Sequence, residues 1–287
     1  MQKRDIPLFN VPVGPGSQPE EDLVLDYMPM PREMDTYFPP VLPEAEELQA
    51  CPHAVKLLER LQALLERYRC GEPGIQLNLN ELPEADLELI NQVLGEGEVS
   101  LIIEGDAKVQ AQETVLAGVW RLREFNTGGE MVSDLLEVAD LPQPVKQRAF
   151  RDAVPLKLDA DKLSAELLNV PSVLVELADA TGAFRPEQVS TPHVINLSLL
   201  PFSPADHQCL EAHIGRGPVT ILSRGYGNCR ISCCAVNTLW RVQYFNSTDQ
   251  LILDTLEVTD VPEVACAAQE DLEDSAMRLH EIREVLI

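Results

Sequence analysis

The sequence repeats itself. Displaced by 120 positions, Leu77, Leu79, Ala85, Asp86, Gly95, Gly97, Val99 and Gly105 fall on Leu197, Leu199, Ala205, Asp206, Gly215, Gly217, Val219 and Gly225. The register continues without a gap. Trp120, Arg121, Phe125, Asn126, Asp134, Leu136, Glu137, Val138, Asp140 and Pro142 fall on Trp240, Arg241, Phe245, Asn246, Asp254, Leu256, Glu257, Val258, Asp260 and Pro262. These are 18 identities over the 69 positions 77–145, where ordinary residue frequencies would give roughly four or five. Both tryptophans of the chain are in register. A duplication restricts the fold, because the two copies share one architecture and must bury surfaces that fit together.

Each copy reads as a helix packed on a mostly antiparallel sheet, so the expected fold class is α+β with two tandem pseudo-repeats. A short strand (75–79; 194–199) precedes a helix (84–94; 204–214), which ends at Gly95 or Gly215, residues suited to a left-handed C-terminal cap. An apolar strand follows (99–103; 219–222). Gly105 and Gly225 mark a turn, and two or three further strands complete the unit. Trp120 and Leu122 alternate with Arg121 and Arg123, as Trp240, Val242 and Tyr244 do with Arg241 and Gln243. That period of two, with one polar face, marks a half-buried antiparallel strand. Hairpin loops are expected at Asn126–Gly129 and Asn246–Asp249.

Around the repeats the chain is expected to organise as a proline-rich extended arm (1–45), a first repeat with its leading helix (46–145), a helical connector (146–192) and a second repeat with a C-terminal helix (193–287). The arm holds nine of the 22 prolines, and proline at that density excludes helix and central strand. The leading helix is expected over 52–69 and connector helices over 144–153 and 160–178. The last helix is expected to begin after Asp260, with Pro262 and Glu263 in its first turn. Val264, Ala268, Leu272, Ala276, Leu279, Ile282 and Leu286 would then form a face packed on the second repeat.

Lys and Arg number 22 against 47 Asp and Glu, a net charge of −25. That excess argues against binding nucleic acid or anionic lipid through a general field. No apolar stretch is long enough to cross a membrane. The first residues, broken by Pro7, Pro12 and Pro15, do not read as a signal peptide, so a cytoplasmic location with reduced thiols is expected. The charge is not shared evenly. Positions 73–139 carry three basic and 13 acidic residues, net −10, whereas positions 193–259 carry four and five, net −1. A surface that sheds charge is cheaper to desolvate and so suits a docking partner.

The turn after the second strand diverges most. Glu104-Gly105-Asp106-Ala107-Lys108 of the first copy becomes Ser223-Arg224-Gly225-Tyr226-Gly227-Asn228-Cys229-Arg230 in the second. Two glycines would allow positive φ around a large ring, and two arginines could meet carboxylates or carbonyls. The alternative is a hairpin turn with a surface tyrosine, and the charge asymmetry favours a contact site. The loop lacks the glycine spacing and Lys-Ser/Thr of a phosphate loop. Cys229, Cys233 and Cys234 look like a cluster, but on a strand Cys233 and Cys234 point to opposite faces, and Cys229 lies about 13 Å from Cys233. Small buried hydrophobes are the better reading, with no metal site expected. His207 and His213, six apart, do not share a helix face. Asp254 and Glu257 repeat Asp134 and Glu137 and so belong with the fold rather than with catalysis.

Several strings, in order along the chain, resemble one family: GPGSQPEE (14–21), LGEGEVS (94–100), SRGYGNCRI (223–231), YFNS (244–247), ILDTLEV (252–258) and EDLEDSAMRL (270–279). Together they are similar to the HupH/HyaF hydrogenase expression/formation proteins. The resemblance implies a cytoplasmic, non-enzymatic accessory protein for maturing an uptake [NiFe] hydrogenase. It would act as a chaperone on the iron–sulfur small-subunit precursor before twin-arginine export, often with a thioredoxin-like accessory partner, and without a cofactor or catalytic residue of its own. The contact surface is expected at Ser223–Arg230 with Tyr226 as anchor and the N-terminal arm as a clamp. Two readings compete. One is a carrier of iron or an iron–sulfur cluster held by the cysteines. The other is a thiol enzyme built on Cys229.

Overall fold

The computed structural model describes residues 45–158, 163, 167–186, 191–225 and 227–286. The expected arm, up to position 44, and Tyr226 lie outside them. The two copies fold alike. In the first, β1 (Ile75–Asn78), α3 (Glu84–Leu94), β2 (Val99–Ile103), β3 (Lys108–Glu113), β4 (Val119–Phe125) and β5 (Met131–Val138) follow one another. In the second the same order is β6 (His193–Asn196), α6 (Pro204–Ile214), β7 (Val219–Ser223), β8 (Asn228–Cys233), β9 (Leu239–Phe245) and β10 (Leu251–Val258). Helices α1 (Ala45–Ala50) and α2 (Pro52–Arg67) lead in. Helices α4 (Gln143–Arg148) and α5 (Val170–Ala183) lie between the copies, and α7 (Gln269–Leu286) ends the chain. Gly95 and Gly215 stop α3 and α6 at φ of 53° and 58°, as glycine permits.

All the strands form one antiparallel sheet in the order β1-β5-β4-β3-β2-β7-β8-β9-β10-β6. The copies join through β2 and β7, where Leu101 lies opposite Ile221. Those two residues are 120 apart, so each is the other's counterpart, and a pseudo-two-fold axis passes through the pair. The flanking hydrogen bonds obey it: Glu104 N donates to Pro218 O at 2.9 Å and Arg224 N to Glu98 O at 3.1 Å. A self-complementary contact of this kind is isologous, as in a two-fold dimer.

Several repeated identities are fold devices. Arg121 forks onto Asp134 (2.9 and 2.6 Å), and Arg241 onto Asp254 (2.8 and 2.6 Å). Asp86 accepts the Ala54 amide at 2.7 Å at the start of α2. Asp206 accepts the Leu168, Asn169 and Val170 amides at 2.9–3.2 Å at the start of α5 and also closes the capping box of α6 with Ser203. Burial alone would raise the Asp206 carboxyl, but the donated hydrogen bonds prevail and hold it at about 2.

Three apolar cores divide the molecule. One sheet face carries a central core shared by both copies, with Trp120, Trp240, Leu101, Ile221 and Ile231 under Val145, Ala149 and Ala265. The other face carries two outlying cores. Helices α2 and α3 cover Leu77, Leu136 and Val138, while α5 and α6 cover Ile195, Leu256 and Val258. On that second face the four central strands present half-buried or exposed side chains, among them Ile102, Gln110, Leu222 and Arg230.

The last helix departs from expectation. It starts at Gln269, after a 3-10 turn at Glu263–Ala265, and Val264 is exposed. The apolar face of Leu272, Ala276 and Leu279 packs in the first copy's core rather than the second's. Gln62 Nε2 on α2 donates to Ala276 O at 3.0 Å, and Arg278 Nη1 donates to Val115 O at 3.2 Å. The exchange is reciprocal. Past α4, Val154 N donates to Ala235 O of the second copy at 2.9 Å, and Leu156 and Leu158 pack on the second copy's core. Of the connector helix expected over 160–178, positions 160–162 and 164–166 lie outside the described residues, and α5 starts at Val170 with Pro171 in its first turn.

Candidate functional site

The divergent turn is the β7–β8 hairpin. It lies at the same end of the sheet as the β9–β10 turn and the start of β2. Ser223 closes β7, paired with both Val99 and Cys229. Arg224, Gly225 and Gly227 are exposed and Asn228 is half-buried. Tyr226, the expected anchor, lies outside the described residues. The two glycines serve different ends. Gly227 has φ of 107°, a left-handed conformation that side chains disfavour. Gly225 does not. The Glu98 carboxylate of the first copy sits where a Cβ at Gly225 would go. The hairpin therefore lies against the residue that leads into β2 of the first copy.

Arg230 lies on the half-open sheet face with its guanidinium 5.0 Å from the Phe245 ring centroid, a cation–π stack. Asn228 Nδ2 reaches Asp249 Oδ1 at 3.4 Å, tying the hairpin to the β9–β10 turn. The stack was not anticipated, yet the repeat holds its signal. Phe125 and Phe245 correspond, while Gln110 of the first copy becomes Arg230 of the second. One substitution thus adds a stacked cation to a shared aromatic platform. Arg224 with Arg230, beside Glu98 and Asp249, gives the hairpin charges of both signs, and Phe245 supplies apolar surface. Such a site can hold a polypeptide by carboxylate, carbonyl and apolar contacts.

Cys229 belongs to the hairpin in sequence but not to its surface. Its side chain is 5% exposed and packs in the central core with Cys233, so it offers nothing to a partner. Burial pushes its thiol up to about 11, against a lowering hydrogen bond from Tyr244. Burial likewise pushes Cys233 up to about 11. Cys234 packs in the α5–α6 core on the opposite face, and burial raises it further. A thiolate is the form that attacks or ligates, so at neutral pH these are inert apolar groups. Among the described residues no cluster of three or more His, Cys, Asp or Glu side chains could hold a metal ion. Cys209 and His213, four apart on α6, do meet, at 3.6 Å between Sγ and Nδ1, but burial raises that thiol too. Asp134 and Asp254 are consumed in the arginine forks. Glu137 accepts the Gln143 amide at 2.6 Å and Gln76 Nε2 at 2.8 Å. No helix among the described residues is long and apolar enough to cross a membrane.

Comparison with known proteins bears on the whole chain. The family model for the C-terminal conserved region of the HupH hydrogenase expression protein matches twice, over residues 52–153 and 167–286. Both matches begin at or before a leading helix, α2 or α5, so the repeat seen in the sheet includes that helix. The chain is 56% identical over 273 residues to the hydrogenase expression/formation protein HupQ of Azotobacter chroococcum, covering 95% of each chain. It is 51% identical to HoxQ of Azotobacter vinelandii, covering 98% of this chain and 99% of that one. The hydrogenase-1 operon protein HyaF of Escherichia coli is 32% identical over 94% of each. With both copies matched and relatives aligned over nearly their whole length, the chain belongs to the HupH family of hydrogenase expression/formation proteins.

Proposed function

We propose that the protein is a non-catalytic accessory factor in the maturation of an uptake [NiFe] hydrogenase. It acts in the cytoplasm as a chaperone that holds the iron–sulfur small-subunit precursor before twin-arginine export. Near-full-length identity to proteins named for hydrogenase expression and formation carries the maturation role. Two observations support the chaperone reading over its rivals. Cys229, Cys233 and Cys234 are buried, and burial raises their thiols, which suits neither a thiol nucleophile nor a cluster carrier. The side chain that diverges most usefully, Arg230 on Phe245, is a recognition element rather than a reacting one. The β7–β8 hairpin, from Ser223 to Arg230 without the Cys229 side chain, is the contact surface in this reading.

The test is capture of tagged precursor, with and without its leader, by the full chain and by the Arg224→Ala/Tyr226→Ala variant. Capture should fall about tenfold with the melting temperature nearly unchanged. Unimpaired capture would remove the hairpin from the account, and failure of the parent chain to capture either form would remove the chaperone role.

A further inference from the structure

A second surface of the second copy is built for a ligand of a different kind. Strand β6 ends the sheet, and among the described residues nothing pairs with its outer edge. Alternate N–H and C=O groups along such an edge point outward and can take another strand. Beside it runs α5, whose outer face makes a shallow, open depression next to the edge, lined by Pro171, Val175, Glu176, Asp179 and Ala183 from α5 and by His193 from β6. An open edge flanked by a helix gives an incoming strand backbone partners on one side and a side-chain wall on the other.

The register determines what the ligand must look like. His193 lies opposite Val258 and Val194 opposite Glu257. His193 and Ile195 therefore face the helix side of the sheet and Val194 the other. His193 Nε2 contacts Glu176 Oε1 at 2.9 Å, which fixes the acidic wall on the helix side. A strand added to β6 would turn every second residue toward Glu176 and Asp179. Its alternate residues would lie beside Val194, which is 47% exposed. The first copy lacks this arrangement. Buried Leu57, Leu58 and Leu61 of α2 correspond to Val173, Leu174 and Leu177 of α5. Exposed Val175 then stands where α2 carries Glu59, which is paired with Arg283 of α7 at 3.9 Å.

We propose that the β6 edge and the outer face of α5 form a groove for an extended partner segment in which basic and apolar residues alternate, added as a further strand. The acidic wall selects the basic positions, and a chain of net charge −25 attracts such a segment. The proposal does not rest on the hairpin.

The test uses the full chain and a labelled peptide alternating lysine with valine, set against an isomer in which the same residues are sorted into two blocks. Fluorescence anisotropy should show the alternating peptide binding about tenfold more tightly than the block isomer. Glu176→Lys/Asp179→Lys should abolish that preference, and hydrogen exchange should slow at 193–196 when the peptide is bound. Val194→Asp should weaken binding similarly. If that variant misfolds, the charge reversal on α5, which leaves the strand untouched, decides alone. Equal binding of both peptides, or no protection at 193–196, overturns the proposal. A dimer of the parent chain that Val194→Asp dissolves would also overturn it, by assigning the edge to a second copy.

Discussion

The crossing of α7 onto the first copy can be tested by one methyl-rich side chain. Leu279 is fully buried between α7 and the α2–α3 core. Leu279→Ala removes three carbons, worth about 2.4 kcal/mol in transfer at roughly 0.8 kcal/mol per carbon. Incomplete collapse of the cavity adds to this, so a total near 3 kcal/mol is expected, within the roughly 2–5 kcal/mol span of such substitutions. Urea denaturation gives the magnitude and hydrogen exchange gives the place. Protection should fall first in α2 and α7, with α5 and α6 close to the parent. A loss below about 1 kcal/mol would mean that the helix is not seated in a packed core. Protection lost in α5 and α6 would mean that α7 sits on its own copy, and the reciprocal exchange would be wrong.

Three further outcomes follow from buried polar groups. Glu113 is 8% exposed, and burial pushes its carboxyl up to about 7 from 4.5. The native state therefore keeps a proton that the unfolded chain has released, and stability should decline as pH rises from about 4.5 to 7, by up to about 3 kcal/mol. Glu113→Gln keeps an acceptor for the Gly118 amide, now at 3.0 Å, and should flatten that decline in urea titrations at several pH values; an unchanged slope refutes the assignment. Asp206→Ala strands the amides that lead into α5 and should cost about 2–3 kcal/mol, with a shift below about 0.5 kcal/mol in urea counting against the shared cap. Alkylation at neutral pH, followed by mass spectrometry, should label exposed Cys70 before buried Cys229, Cys233 and Cys234, and early labelling of Cys229 would restore a chemical role for it.

What the sequence discloses is what is local. The bounds of α3 and α6 are legible because apolar spacing and a terminal glycine act within a few residues of each other. The identity of the β4 and β9 faces is legible because alternation is itself a nearest-neighbour property. The seat of α7 is not. Its apolar face declares that Leu272 and Leu279 will be buried, but two homologous cores offer the same surface, and chain proximity favours the wrong one. The neighbour of Gly225 is opaque for the same reason, since the carboxylate beside it belongs to Glu98, over a hundred positions away. The first turn of α5 is legible in Pro171, which has no place in a helix interior. The hairpin could be singled out by divergence alone, whereas the β6 groove depends on which strand ends the sheet, a fact of topology.

The same geometry ties the two copies together. Each trailing segment packs on the other copy's core, and Leu101 meets its own counterpart across the join, so the cores of the two halves are coupled. The cores have nonetheless diverged within that frame, with buried Val109, Ala111 and Glu113 of the first copy standing where the second has Cys229, Ile231 and Cys233. The net charge falls from −10 to −1 between the copies, while the Arg121–Asp134 and Arg241–Asp254 forks remain alike. Changes at the surface include the β7–β8 hairpin, Arg230 over Phe245, and Val175 where a glutamate stands in α2. These surface differences gather on the second copy, at its β7–β8 hairpin and beside its β6 edge, which is why both proposed contacts are placed there rather than on the first copy.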